Sequence, residues 1–153
     1  MTKKLDVGNV LLADYVGPGQ GNKVTLVNTY SGDVFVAAFP VMMSFGFYAE
    51  TFVRPASPLM ATISFLLDET QFLELHTMLQ PNPAASGPEL IVVPQFQSIA
   101  TKESTLKIVM RVAGYHPAKL ITKAIKLAPS DAISSGGSEP MPSPAQSEPA
   151  SPA

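Results

Sequence analysis

No cysteine and no tryptophan occur in the 153 residues of this chain, and there are only two histidines, His76 and His116. Without cysteine there is no disulfide, no thiolate nucleophile and no sulfur ligand for zinc. Two histidines that stand 40 residues apart, with no local carboxylate spacing, make a poor metal site. Long apolar runs are missing too. The longest, residues 34–43, is interrupted by Pro40 and falls well short of the ~20 residues that span a bilayer. At the N-terminus, Lys3 and Lys4 are followed by Leu5-Asp6-Val7-Gly8-Asn9, so the apolar centre of a secretory signal is absent. The expectation is a cytoplasmic protein that neither spans nor binds a membrane.

Catalytic motifs are equally scarce. There is no G-x-S-x-G elbow, no phosphate loop and no H-E-x-x-H pair. Gly17, Gly19 and Gly21 superficially resemble a nucleotide fingerprint, but Pro18 and the lack of a following helix remove the helix end that would hold an anion. The chain is therefore expected not to be an enzyme and to need no cofactor and no metal.

What is present divides at residue 129. Residues 1–128 hold all ten lysines and arginines against nine acidic residues, a net charge of +1; residues 129–153 add Asp131, Glu139 and Glu148 with no base, a net of −3. Neither part has the clustered basic face of a nucleic-acid binder. Residues 129–153 are mostly Ser, Pro, Ala, Gly and Glu. They cannot bury enough apolar surface to offset roughly 1–2 kcal/mol of backbone ordering entropy per residue, and read as a disordered tail. The expected organisation is one folded domain, 1–128, followed by that tail.

Within 1–128 the dominant signal is alternation of period two. Leu106, Ile108, Met110 and Val112 share one face of a strand, with Thr105, Lys107 and Arg111 on the other. Met43, Phe45, Phe47 and Ala49 do the same between Ser44, Gly46, Tyr48 and Glu50. Residues 61–67 and 73–79 flank the polar turn Asp68-Glu69-Thr70 and read as a hairpin. Residues 9–15 and 23–29 flank a turn with three glycines and a proline. Residues 90–93, between Pro88 and Pro94, suit an edge strand or a bulge. Residues 116–127 admit a helix opened by Pro117 or a strand; the strand is favoured because Gly114 follows a strong strand directly, as a tight antiparallel return requires.

About seven or eight short strands without intervening helices predict an all-β fold, a two-layer antiparallel β-sandwich of immunoglobulin-like or C2-like type. Phe45, Phe47, Phe65, Leu73, Leu75, Leu106, Ile108 and Met110 form its expected core.

Leu11-Leu12-Ala13-Asp14-Tyr15 closing the first strand, Asn22-Lys23-Val24-Thr25-Leu26 opening the second, Phe39-Pro40 leading into the third and the late hairpin through Gly114 are together similar to a family of small uncharacterised bacterial β-sandwich proteins. The similarity covers residues 7–127 and departs at residues 31–38. It implies a fold and carries no catalytic or ligand residues.

Two places are candidates for function. Lys107 and Arg111 on one strand and Lys119 and Lys123 on its neighbour would share a solvent face that could dock an acidic partner. Asp14, beside Tyr15 and facing the glycine loop, could accept backbone N–H groups and cap that turn. The functional expectation is a non-enzymatic interaction or structural module of a bacterial or phage assembly with a protein partner, and open strand edges leave room for a homo-oligomer. A small-molecule or carbohydrate-binding domain is the alternative and would use Tyr15, Tyr30, Tyr48 or Tyr115; an enzyme would need Asp14, Glu74 and His76 in one pocket.

Overall fold

The computed structural model describes residues 2–20, 23–81 and 87–130. Residues 131–153 of the expected disordered tail 129–153, and Gly21 and Asn22 of the first turn, lie outside the described residues. Nine strands are found there: β1 (Val7–Pro18), β2 (Val24–Thr29), β3 (Val34–Val36), β4 (Val41–Thr51), β5 (Leu59–Leu67), β6 (Thr70–Leu79), β7 (Glu89–Ala100), β8 (Ser104–Val112) and β9 (Ala118–Leu127). No helical element accompanies them among the described residues, and no helix is long and apolar enough to cross a membrane.

The strands form two sheets, one in the order β2-β1-β4-β7 and one in the order β3-β9-β8-β5-β6. Consecutive strands pair within a sheet only in the hairpins β1–β2, β5–β6 and β8–β9; every other connection passes from one sheet to the other. The inner faces pack on each other through aromatic rings. Phe47 of the first sheet meets Phe65 of the second edge-on at 5.9 Å, and Phe96 lies 4.6 Å from Phe65. Each ring is delivered by the alternation seen in the sequence: Met43, Phe45, Phe47 and Ala49 are all buried on β4, and Leu106, Ile108, Met110 and Val112 on β8.

Several expectations change. The pairing is not wholly antiparallel, because β3 runs parallel to β9, joining Val34–Val36 to Ile125–Leu127. The strand favoured over a helix for residues 116–127 is found, at Ala118–Leu127. Leu73 and Leu75, expected in the core, are only half-buried at its margin, since β6 is the last strand of its sheet. β7 is an edge strand, as the flanking prolines suggest, but it runs to Ala100 by bulging at Pro94 and Gln95 opposite Gly46. Its second half brings Phe96 into the core.

Gly46 sits where three strands crowd. The β1–β4 pairing ends at Ala13 and Gly46, and the backbone of Tyr15 and Val16 then passes close over Gly46 from one side while Pro94 closes from the other. A Cβ at this position would stand 2.6 Å from the Val16 nitrogen and 2.8 Å from the Pro94 oxygen. Only glycine admits so close an approach of backbones.

The β5–β6 turn is a two-residue loop with positive φ at both Asp68 (47°) and Glu69 (65°), the mirror-image turn whose twist matches a hairpin. Asp68 also ties the turn to β8: its N–H donates to the Thr105 carbonyl, and its Oδ1 accepts from the Thr105 N–H at 2.8 Å.

Candidate interaction surfaces

On the outer face of the second sheet, side chains of β5, β6 and β8 form a polar chain. Arg111 Nη1 donates to Ser64 Oγ at 2.9 Å, and that hydroxyl donates to Glu74 Oε2 at 3.5 Å. His76 Nε2 lies 3.4 Å from Glu74 Oε1, and its Nδ1 is 3.2 Å from Thr62 Oγ1. The register explains the grouping, since Thr62 pairs with both His76 and Arg111, and Ser64 with both Glu74 and Val109. One turn further, Lys107 pairs with Glu69.

This geometry changes the expected basic face. Lys107 and Arg111 do share the outer side, and Lys119, opposite Val109, joins them. Lys123 does not: it stands opposite Leu106, whose side chain is buried in the core, and therefore projects from the other side of the sheet. The cause is a bulge in the β8–β9 pairing between Ile108 and Val109, which reverses the sidedness of β9 between Lys119 and Ile121. Of the three expected residues left on the face, Lys107 and Arg111 already have partners.

Asp14 and Tyr15 point to opposite sides of the first sheet. Asp14 accepts the Asn28 amide at 2.8 Å and the Tyr30 hydroxyl at 2.5 Å, so it holds side chains of β2 and the residue after it. The carboxylate therefore serves this pair; Gly21 and Asn22 of the turn it was expected to cap lie outside the described residues. The Tyr30 ring packs edge-on against Phe45 at 5.5 Å, and burial, reinforced by the hydrogen bond to Asp14, pushes its hydroxyl pKa up to about 12. Tyr15 is exposed opposite Val27, with its ring over Gly17. Asp14 thus lies in the first sheet, and Glu74 and His76 on the outer side of the second; the three do not meet in one pocket. Among the described residues no group of three His, Asp or Glu is placed to hold a metal ion.

The surface that sequence reading missed is apolar. Met42 and Ile99, directly opposite each other on β4 and β7, are 64% and 59% exposed. With Phe72, Leu67, Thr70, Gln97 and Ser98 they line a cleft of about 480 Å³ between the β7 edge of one sheet and the β6 edge of the other. Phe72 sits at a bulge in β6 and bridges to the core, 6.4 Å from Phe65 and 6.3 Å from Phe96. The signal was present as alternation in residues 96–100, where Phe96, Ser98 and Ala100 are buried while Gln97 and Ile99 are exposed.

Compared with known proteins, the chain matches no family model and no curated protein.

Proposed function

We propose that this chain is a non-enzymatic interaction or structural module, a β-sandwich of immunoglobulin-like or C2-like type that works with a protein partner in the cytoplasm as part of a bacterial or phage assembly. The connections that keep crossing between layers support the sandwich type, since Greek-key sandwiches are wound that way. One observation carries the functional reading: the cleft at Met42, Ile99 and Phe72 leaves large apolar side chains uncovered at an edge of the molecule, two of them more than half exposed. Uncovered apolar surface in one place marks a site of association, and methionine adapts to the partner it meets. A sugar site would gather aromatics in one concavity, whereas Tyr15 faces outward from the first sheet, Tyr30 packs on Phe45, Tyr48 donates to Glu50 and Tyr115 pairs with Lys3 beside the β8–β9 turn.

The test compares three baits in the native cell: the full chain, a chain ending at Ala128, and the full chain carrying Met42→Glu and Ile99→Glu. A protein retained by the first two baits and lost from the third supports the reading. Identical capture by all three refutes it, and loss on truncation alone moves the binding function to the tail.

A further inference from the structure

We propose that β6 is a self-pairing edge, through which two copies of this chain join antiparallel across a two-fold axis centred on Leu75. The inference does not need the cleft at Met42 and Ile99; it stands on the edge itself. An edge strand presents a row of backbone N–H and C=O groups, and proteins usually blunt such edges with lysine, proline, a bulge or shortness. Three of the four edges here are blunted. β7 carries Pro94 and its bulge, β3 is three residues long, and β2 is six residues long with positive φ at Asn28. β6 has ten residues, no lysine and no proline, and from Leu73 to Leu79 its pairing with β5 is regular. Among the described residues nothing pairs with its outer side.

Its side chains fit a copy of themselves. A two-fold axis perpendicular to the sheet keeps inner face with inner face, so the axis must fall on a residue and not between two. Centring on Leu75 sets Glu74 opposite His76 of the second copy and His76 opposite its Glu74, both on the outer face where these side chains are 37% and 53% exposed. Leu75 then meets Leu75 and Leu73 meets Thr77 on the inner face, which covers the half-buried Leu73 and Leu75. Other centres are worse. Centring on Glu74 puts two carboxylates face to face, and centring on His76 puts two imidazoles face to face and leaves Glu74 against Met78. A carboxylate directly across from an imidazole can accept its N–H, whereas two carboxylates directly across from each other repel, so the arrangement at Leu75 selects both partner and register. The contact is narrow, and a reversible dimer follows.

Sedimentation of the full chain from micromolar to millimolar concentration tests this. The mass should rise from 16.2 kDa toward twice that value. His76→Glu, which sets carboxylates opposite each other twice, should weaken the dimer about tenfold or more. Adding Glu74→Lys to His76→Glu should restore it, since each lysine then faces a carboxylate. Met42→Glu with Ile99→Glu should leave it unchanged. A chain that stays monomeric overturns the proposal, as does a dimer that ignores His76→Glu or one that the double exchange fails to restore. A dimer abolished by Met42→Glu with Ile99→Glu also overturns it and assigns self-association to the apolar cleft. If a β6 variant loses its strand spectrum in circular dichroism, hydrogen exchange of the unmodified chain decides: the amides within residues 73–77 that point away from β5 must gain protection as concentration rises.

Discussion

Replacing Gly46 by alanine inserts one methyl group where the backbones of β1 and β7 both approach β4. The new carbon would lie 2.6 Å from the Val16 nitrogen, 2.8 Å from the Tyr15 carbonyl carbon and 2.8 Å from the Pro94 oxygen. All three are main-chain atoms, so no side chain can rotate away; the strands themselves must part by several tenths of an ångström. Overpacking of this kind costs about 1–3 kcal/mol. Parting the strands also stretches one or two ladder hydrogen bonds, each worth about 0.5–1.5 kcal/mol net. Against this, alanine in a strand recovers about 0.5–1 kcal/mol of the entropy that glycine loses on folding. The balance is a loss of roughly 2–3 kcal/mol, a large share of the 5–15 kcal/mol typical of a domain. Urea denaturation of the full chain measures it as a lower midpoint at unchanged slope. Gly32→Ala is the control, because nothing lies within 4 Å of the Cβ it would add. If Gly46→Ala falls within about 0.5 kcal/mol of the parent, the range of an ordinary surface substitution, the strands do not approach as described and the account of this junction is wrong.

Two further predictions concern pH. Burial first, and then hydrogen bonds to Asp14 and Glu50, push Tyr30 and Tyr48 each up to about 12, so folding favours their neutral forms. Their contribution to stability is complete below about pH 10, the unfolded value, and is lost as pH rises toward 12; ultraviolet titration should show two phenols ionising late, and Tyr30→Phe should remove one of them. Asp33, Glu50 and Asp68 are held below the usual carboxylate range, Asp33 chiefly by the Lys126 ammonium, Glu50 by the Asn9 backbone N–H and Asp68 by that of Thr105. Their contribution is present above about pH 4 and is lost as pH falls below it; a denaturation midpoint that does not drop there refutes these assignments.

The sequence by itself determined the β class, the hairpins β1–β2 and β5–β6 and which face of β4 and β8 turns inward, because a strand's side chains alternate strictly and burial of one face is a local, additive demand; for residues 116–127 it favoured a strand without excluding a helix. It also pointed to an edge strand or a bulge at residues 90–93, since proline has no N–H to give to a ladder, and β7 shows both. Tertiary structure alone decided the rest. Whether Lys123 joins Lys107 and Arg111 depends on a single bulge opposite Ile108, and one inserted residue reverses a strand's sidedness without altering its composition. That Met42, Phe72 and Ile99 meet in one cleft depends on which strands end each sheet. Strand order is set by pairings between residues distant in the chain, which no local pattern encodes.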